Sequence, residues 1–453
     1  MSSDDLGEAG PPVTRSDLIE YFRSACLVQR PGARALVGAE FEHLPVSPET
    51  GRAWPWATNG DLGGVGEAFA RLSALPAYER GAPGEALVAL KRGAAMLHLE
   101  PGGQTELAST ARSDLHDLAR ELATVRSEIA SAADHLGFAY LSHPLQPVSA
   151  HGDVTMVPKR RYRALRDYLE SHGQARAIDM MMLTASVQAC FDYHDEADAG
   201  RKMRVALLAA PIATALFANS PVESGRATGQ ASNRAHVWLQ TDRARTGMPR
   251  QLLDGQWSFE RYVDFALGVP VVLVRGEKGT VEPGAGATFA EMLAGGVIDR
   301  RVDMADWELH LSTLFIEARM KKFIEVRSAD CPPPEAAMTV PAFWTGLLYH
   351  DVAVEAAYAL LSPLQDALAG CMEDVAQRAL GARVTPATTA GDLARELCRL
   401  SRAGLESRGL GEERYLEPAL AWARTGRTAS DDSLDTFKRG GVKALVESAR
   451  LRP

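Results

Sequence analysis

Several segments of the chain alternate between apolar and polar residues, which is the period of a β-strand with one face in the core. In VGAEFEHL (37–44), the apolar side chains of Ala39 and Phe41 alternate with the carboxylates of Glu40 and Glu42. The pattern therefore predicts a strand that carries two acidic groups on the same face. Further strands are predicted in MLHLEPGGQTEL (96–107, with a Gly-Gly turn), TASVQACFDY (184–193) and KKFIEVRSAD (321–330).

Other segments repeat apolar residues at helical spacing. Leu115, Leu118 and Leu122 begin such a series, which predicts a long helix over 113–136. A second long helix is predicted from Glu196 to Ala218, and WELHLSTLF (307–315) predicts a shorter one. Residues 342–425 are mostly helical in pattern. Separated strands, turns and long helices together predict an α+β fold with a largely antiparallel sheet.

Composition and charge limit the class of protein. The 453 residues are 46% hydrophobic and 24% charged, which is ordinary for a globular protein. The formal net charge of -9 argues against general affinity for nucleic acid or acidic membranes. The five cysteines are widely spaced and include no CxxC pair, which disfavours both a disulfide framework and a structural zinc site.

The most apolar helical segment, VALLAAPIATALFA (205–218), is too short for a membrane span and contains Pro211. The beginning of the chain is acidic and polar, unlike a secretory signal. Together with the unpaired cysteines, these features predict a cytoplasmic location.

Nucleotide-binding motifs are weak. The chain contains no GxxxxGK[ST] loop. The glycine-rich LGGVGEAF (62–69) has no strand before it and no βαβ unit around it, and GAGAT (284–288) is predicted to be a loop. A dinucleotide-binding fold is therefore not predicted.

Acidic residues recur on the predicted strands. Glu40 and Glu42 share a face, Glu100 and Glu106 flank a turn, and Glu325 lies two residues from Arg327. Any one of these could be a solvated surface charge. Carboxylates gathered on one face would repel each other unless a cation lay among them, and hard divalent cations prefer oxygen ligands.

Three arginines could supply the complementary charge. Arg161 lies in PKRRYRALRDY, Arg234 in SNRAHVW and Arg327 in EVRSAD. Arginine suits bidentate binding of carboxylates and phosphates. A face with acidic groups for metal and arginines for anions suits an enzyme that moves a phosphoryl group onto a carboxylate.

Long segments of the chain resemble the glutamate–cysteine ligases of plants and many bacteria, which are related in fold to glutamine synthetase. The resemblance covers most of 34–425 and is carried by GAEFEHL, LEPGGQTEL, DMMMLTASVQACFDY, PIATALFANSP, SNRAHVWLQTDRARTGM, FIEVRSAD and VPAFWTGLLYHD. It implies a six-stranded antiparallel sheet that forms an open half-barrel with helices outside. It also implies ATP and Mg²⁺, and a reaction in which glutamate and cysteine are joined through an acyl phosphate to give γ-glutamylcysteine, for glutathione or ergothioneine synthesis.

The resemblance also implies roles for individual residues. It assigns magnesium to the acidic residues, the transferring phosphate to Arg327, and a position near metals and substrates to Gln188. Arg161 and Arg234 would hold the carboxylates of glutamate. Trp238 could form a wall of that pocket or could be a core aromatic residue. The acidic set is Glu40, Glu42, Glu100, Glu106 and Glu325.

The chain departs from the family pattern around the predicted amino-acid pocket. The family strand VQVNLD is VQACFD here, so that Cys190 replaces an asparagine. Leu183 stands where plant members have an arginine, and Val272 where they have a tyrosine. Loss of a polar group that contacts substrate can change specificity by orders of magnitude. Cys190 is interpreted as a small pocket wall, with a catalytic thiol as the alternative.

Three functions remain open from the sequence. The first is glutamate–cysteine ligase, and the second is a ligase of this family that acts on another acid or amine. The third is a binding protein without catalysis, which would be expected to have lost at least one of Glu40, Glu42, Glu100 and Glu325. The predicted organisation is a disordered tail (1–15), one catalytic ligase domain (16–425) and a C-terminal segment (426–453), in a monomer or homodimer with small-molecule partners only.

Overall fold

The computed structural model describes residues 10–30, 32–57, 63–80, 87–254, 256–276, 281–284 and 286–453. The first nine residues of the predicted tail lie outside this range, as does part of GAGAT. The described strands are β1 (Val37–Val46), β2 (Glu79–Arg80), β3 (Ala89–Arg92), β4 (Ala95–Leu99), β5 (Thr105–Ala108), β6 (Ala139–Leu141), β7 (Val187–Phe191), β8 (Val222–Glu223), β9 (Arg226–Ala227), β10 (Thr246–Gly247), β11 (Leu273–Arg275), β12 (Val281–Pro283), β13 (Phe315–Ile316), β14 (Ala318–Met320), β15 (Ile324–Val326), β16 (Arg383–Thr385) and β17 (Thr388–Thr389).

Most of the chain outside the sheet is helical. The described helices are α1 (Arg15–Arg23), α2 (Val65–Ser73), α3 (Leu115–Asp134), α4 (Arg160–His172), α5 (Ala177–Leu183), α6 (Glu196–Leu216), α7 (Asn233–Leu239), α8 (Phe259–Leu267), α9 (Phe289–Ala294), α10 (Met304–Ser312), α11 (Thr339–Leu348), α12 (Asp351–Leu361), α13 (Gln365–Gly370), α14 (Met372–Arg378), α15 (Ala390–Arg408), α16 (Glu417–Thr425) and α17 (Ala429–Ala449). The long helices predicted over 113–136 and from Glu196 correspond to α3 and α6.

One large antiparallel sheet organises the molecule. Its order is β14-β15-β7-β1-β5-β4-β3-β2, and β6 pairs with the second half of β1. The α+β class and an open antiparallel sheet are therefore confirmed. The sheet has nine strands where the resemblance implied six, because short β2 and β3 extend one edge and β6 adds a branch. The remaining six, β14 to β4, carry the site described below.

Helices cover the back of the sheet. The β1 residues Ala39 and Phe41 point into the core, while β7 contributes Val187 and Ala189. Helix α6 is buried along most of its length, including Pro211, which fits its position between the sheet and helices α12 and α15. Among the described helices, none combines the length and apolar character that crossing a membrane requires.

The C-terminal segment is anchored to the branch of the sheet. The Leu451 amide donates to the Tyr140 carbonyl at 2.8 Å, and Arg450 forms a bridge with Leu141. This places the end of α17 beside β6. The division of the chain into one catalytic domain and a C-terminal segment stays a prediction.

Helix α11, which packs behind β7, crosses α15 at two glycines with almost no space between the backbones. A Cβ atom at Gly346 would lie 2.0 Å from the Ser401 carbonyl oxygen, and one at Gly404 would lie 1.9 Å from the Gly346 carbonyl oxygen. The Ser401 hydroxyl donates to the Phe343 carbonyl at 2.8 Å across the same crossing. Both backbones would therefore have to move apart to accept any side chain.

We expect Gly404→Ala to lower the free energy of unfolding by about 1–3 kcal/mol or more, because the added methyl group overpacks the crossing. The matched control is Gly370→Ala in α13, where an added Cβ meets nothing within 4 Å and should be neutral or slightly stabilising. Thermal and urea unfolding measure the free energy of unfolding of both variants. Equal stability of the two variants would contradict the close crossing.

Candidate active site

The acidic residues of β1 lie on the face of the sheet opposite the core. The buried side chains of Ala39 and Phe41 alternate with those of Glu40 and Glu42, which are partly exposed. Register extends this acidic face across neighbouring strands. Glu40 lies opposite Gln188 of β7, and Glu42 lies opposite Glu106 of β5. The antiparallel pairing therefore brings together residues that are far apart in the chain.

The turn between β4 and β5 adds another carboxylate. The Glu100 amide donates to the Gln104 carbonyl, and the Gly103 amide donates to the Glu100 carbonyl, both at 2.9 Å. A Cβ at Gly102 would lie 2.1 Å from the Met182 carbonyl oxygen, so glycine is required where the turn meets α5. The turn holds Glu100 at the end of the acidic face, where the Tyr162 hydroxyl lies 3.4 Å from its carboxylate.

These side chains surround one cavity of about 260 Å³. Four of the five predicted metal ligands line it, and Glu325 contacts three basic residues that also line it. The acidic residues occupy the sheet side, and the other predicted residues form its walls. The predicted site residues that line this cavity are Glu40, Glu42, Glu100, Glu106, Arg161, Gln188, Trp238 and Arg327.

The carboxylates on β1 and β5 are crowded and poorly solvated. Burial first, and then Glu40, Glu100 and Glu42, raise the pKa of Glu106 well above its usual value. Burial and the charge of Glu100 raise the pKa of Glu42 to about 7. Burial and Glu325 also raise the pKa of Glu40. Ionising such groups together costs free energy, so an added cation would stabilise the ionised set.

Glu325 differs because the protein itself neutralises it. The carboxylate accepts from Arg319 at 2.6 Å and from Lys321 at 2.7 Å, and it also pairs with Arg327. Burial would raise the pKa of Glu325, but Arg319, Lys321 and Arg327 outweigh it and hold that pKa well below its usual value. Glu325 is therefore ionised and fixed in position.

Arg327 connects this cationic cluster to the acidic face. Its Nη1 donates to Gln188 Oε1 at 2.5 Å and also contacts Glu325. Its guanidinium carbon lies 5.8 Å from the centre of the Trp238 ring. The remaining donors of Arg327 can reach an anion in the cavity, while Gln188 and Glu325 fix its plane.

The two other predicted arginines lie on different walls. Arg161 lines the large cavity, and its Nη2 donates to the Ser312 hydroxyl at 2.9 Å. Arg234 is only 4% exposed and lines a smaller adjoining cavity of about 20 Å³. Arg234 stacks near Trp238 at 5.8 Å, and Trp238 lines both cavities. Trp238 is thus a wall residue in the structure.

Cys190 lies beside the acidic face rather than in the cavity lining. It is opposite Glu325 in the β7–β15 register. One ligand atom each from Glu40, Cys190 and Glu325 lie within 4.8 Å of one another. Burial and these two carboxylates raise the pKa of the Cys190 thiol well above its usual value, which opposes a nucleophilic thiolate.

Val272 was predicted to lie near the substrate pocket, but it lines neither of the two cavities. It is fully buried before β11, and its carbonyl accepts from the Gly284 amide at 2.6 Å. The pairing of β11 with β12 turns this side chain into the core. Neither cavity therefore supports its predicted substrate contact, which stays a prediction. Leu183, also buried, ends α5 outside both linings.

Several lining residues were missed from the sequence. Lys159 and Tyr162 share the segment PKRRYRALRDY with Arg161, and the Tyr162 hydroxyl donates to the Leu99 carbonyl at 2.6 Å. Arg319 and Lys321 line the cavity beside Glu325. The segment from Arg319 to Arg327 forms a hairpin. Had this hairpin been predicted, Arg319 and Lys321 on its first half would have been expected to face Glu325 on its second half. Glu317, in the smaller cavity, had no comparable signal.

The donor set fits a hard divalent cation. Several carboxylate oxygens face one cavity, where burial and then neighbouring carboxylates raise the pKa values of Glu40 and Glu106. His98 is the one imidazole among the described residues that line this cavity. Oxygen ligands of this kind suit magnesium shared with phosphate groups. The basic residues that line the same cavity suit the anionic part of such a ligand.

Comparison with known proteins identifies the family. The model of glutamate-cysteine ligase family 2 (GCS2) matches residues 36–448. The chloroplastic glutamate–cysteine ligase of Medicago truncatula is 33% identical over 96% of this chain and 84% of its own length. The Arabidopsis thaliana enzyme is 33% identical over 95% of this chain and 81% of its own.

A solved structure supports the fold alone. The glutamate–cysteine ligase of Francisella tularensis, in complex with AMP, is similar with a TM-score of 0.54 at 12% identity, over 92% of this chain and 87% of the other. The shared architecture is thus recognisable where little sequence identity remains.

The relatives also correct one prediction. The relatives from Medicago truncatula, Arabidopsis thaliana and Nicotiana tabacum are chloroplastic glutamate–cysteine ligases, not cytoplasmic ones. The predicted cytoplasmic location is therefore wrong on this comparison.

The family match extends over the acidic strand β1, the β4–β5 turn and the cationic strand β15, and the relatives align over nearly the whole chain. The chain therefore belongs to the glutamate–cysteine ligase family 2.

Proposed function

We propose that this protein joins the γ-carboxylate of L-glutamate to the amine of L-cysteine with ATP, giving γ-glutamylcysteine. The observation that carries the proposal is the single cavity in which four carboxylates face Arg161, Arg327 and other basic groups. Family membership supports the same activity.

The reaction requires activation of a carboxylate before an amine can attack it. The γ-carboxylate oxygen of glutamate bonds to the γ-phosphorus of ATP, and ADP leaves with the electrons of the broken P–O bond. The amine nitrogen of cysteine then bonds to the acyl carbon, and phosphate leaves. Arg327 would orient the phosphoryl oxygens, because Gln188 and Glu325 hold its guanidinium in place.

Magnesium would be held by Glu40, Glu42, Glu100 and Glu106, with Glu325 beside them. When bound, it would neutralise phosphate charge and hold the reacting oxygens in line. All four carboxylates supply oxygen ligands, and the raised pKa values of Glu40, Glu42 and Glu106 indicate that their ionised forms are destabilised without a cation.

The glutamate substrate would lie between the two arginines. Arg234 carries a buried Nε atom that has no hydrogen-bond partner among the described residues, and its Nη2 donates to the Arg327 carbonyl at 3.2 Å. Arg161 faces the large cavity. These groups would hold carboxylates of the substrate, and Trp238 would separate its aliphatic part from the core.

The alternative is a ligase of the same family that uses another acid or amine. Cys190 favours it, because a thiol stands where the family pattern has an amide donor, beside Glu40 and Glu325. Val272 lines neither cavity and adds no further support to this alternative. Glutathione synthesis is the proposed use of the product, and ergothioneine synthesis is the second route. A monomer or homodimer stays a prediction.

We expect the purified protein to form γ-glutamylcysteine from glutamate, cysteine and ATP, and Glu40→Gln to lower kcat by at least ~100-fold. The amide keeps the shape of the side chain but removes a charge that would bind the cation. Phosphate release and product mass are the measurements.

The matched control for this activity is Glu308→Gln. Glu308 is half-buried on α10 and lies in neither of the two cavity linings, so kcat should stay within twofold or so of wild type. Turnover with another substrate pair but none with glutamate and cysteine would favour the alternative. Full activity of Glu40→Gln would overturn the metal assignment.

Magnesium should stabilise the protein more at about pH 8 than at about pH 6. Glu42 has a pKa of about 7 when folded and 4.5 ordinarily. A carboxyl with a raised folded pKa stabilises the fold below its ordinary pKa, and this contribution is lost as pH rises through the folded value. A cation binds the ionised form and offsets the loss. Thermal unfolding with and without magnesium measures the difference.

In Glu106→Gln the increase in magnesium stabilisation with pH should become smaller, because one ionising group of the acidic face is removed. Glu308→Gln should retain the full increase. An equal melting-temperature shift at both pH values in wild type would contradict the role given to the acidic face.

A further inference from the structure

A second, smaller cavity adjoins the large one. Its volume is about 20 Å³, and it shares Trp238, Phe315 and Arg327 with the large cavity. A volume of this size holds one water-sized group and little more. It is lined by two cations, Arg234 and Arg327, and by one carboxylate, Glu317.

Glu317 is held firmly by its backbone at the corner between β13 and β14. Its amide donates to the Gly247 carbonyl at 3.0 Å, and its carbonyl accepts from the Arg327 amide at 3.0 Å. Its carboxylate makes no salt bridge within 4.0 Å to any described lysine or arginine. The side chain is therefore an acceptor at a fixed position, and the structure gives it no close cationic partner.

The surroundings of Glu317 favour a small positive group. Burial raises the pKa of Glu317, and Arg234, Arg327 and Ser328 offset this only in part. Arg234 is committed mainly to other acceptors, with Asp330 at 3.8 Å and the Arg327 carbonyl at 3.2 Å. Its buried Nε atom is unpartnered among the described residues. A ligand that carries an ammonium group next to a carboxylate could pair with both residues, its ammonium with Glu317 and its carboxylate with Arg234.

We propose that Glu317 binds the α-ammonium group of the acid substrate while Arg234 binds its α-carboxylate, so that this cavity selects an α-amino acid over a plain dicarboxylic acid. The inference rests on the proposed ligase function and adds a specificity-determining residue to it. An ammonium group matches the volume of the cavity, and the α-carboxylate would lie at its mouth.

Chemistry assigns this cavity to the acid rather than to the amine. The amine substrate must attack the acyl carbon with a free electron pair, which an ammonium held by a carboxylate lacks. The acid substrate keeps its α-ammonium unchanged through both steps. A site that stabilises the protonated amine therefore suits glutamate, whose side-chain carboxylate would point toward Arg327 and the acidic face.

The test compares L-glutamate with glutarate, which lacks only the α-amino group. Wild type should have a much higher KM for glutarate. In Glu317→Gln, the KM for L-glutamate should rise on the order of 100-fold, because a buried charge pair loses one partner. The KM for glutarate should change little, so that discrimination between the two acids collapses. Product is detected by mass, and the KM for ATP is measured in parallel.

Glu308→Gln is the matched control and should keep wild-type discrimination. Glu317→Asp keeps the charge and should retain part of it, which a purely structural role would not predict. Thermal unfolding of each variant checks that it is folded. A Glu317→Gln enzyme that raises both KM values equally, or neither, overturns the proposal.

A measurement on wild type alone keeps the inference testable if Glu317 variants do not fold. Binding of L-glutamate and of glutarate, each with a non-hydrolysable ATP analogue and magnesium, is followed by calorimetry or by the tryptophan fluorescence of the protein. Equal affinity for the two acids overturns the role of Glu317. Absence of γ-glutamylcysteine formation, with tight and selective L-glutamate binding, instead overturns the proposed function and supports the role of Glu317.

Discussion

Electrostatic repulsion between carboxylates on one face of the sheet is the constraint on which the site depends. Ligand atoms of Glu40 and Glu325 approach within 4.8 Å. Two like charges at that separation repel by roughly 3 kcal/mol at an effective dielectric constant of ~20. Core packing behind β1 supplies the stability that lets the sheet tolerate them. The fold thus maintains an arrangement that becomes favourable only when positive charge is present.

The need for positive charge near the carboxylates is met differently in two regions of the same face. Around Glu325, the protein supplies its own cations from Arg319, Lys321 and Arg327. Around Glu42 and Glu106, burial and then the neighbouring carboxylates raise the pKa values, and nearby cations do not outweigh these effects. The boundary between the two regions runs through Gln188 and Arg327. An anionic group at that boundary would have fixed cations on one side and carboxylates on the other.

Strand periodicity was sufficient to predict which residues of β1 share a face, because alternation depends only on local geometry. It could not predict that Glu42 lies opposite Glu106, since register depends on the whole sheet and on the turn at Gly102. Of the cationic partners of Glu325, Arg327 was predicted, but Arg319 and Lys321 were missed because β14 and β15 are only three residues each, too short for a clear pattern. The burial of Val272 away from both cavities could not be predicted either, because an apolar side chain suits a core and a pocket wall equally.

The cysteine at position 190 changes the hydrogen-bond donors available to the acidic face without changing its formal charge. The family pattern places an amide there, and an amide can donate a hydrogen bond to a carboxylate. A thiol is a weak donor, and the raised pKa of Cys190 shows that it stays neutral between Glu40 and Glu325. Glu40 therefore depends more strongly on an added cation than it would beside an amide. Cys190, which lines neither cavity, thus affects the electrostatics of the acidic face through its contact with Glu40 and Glu325.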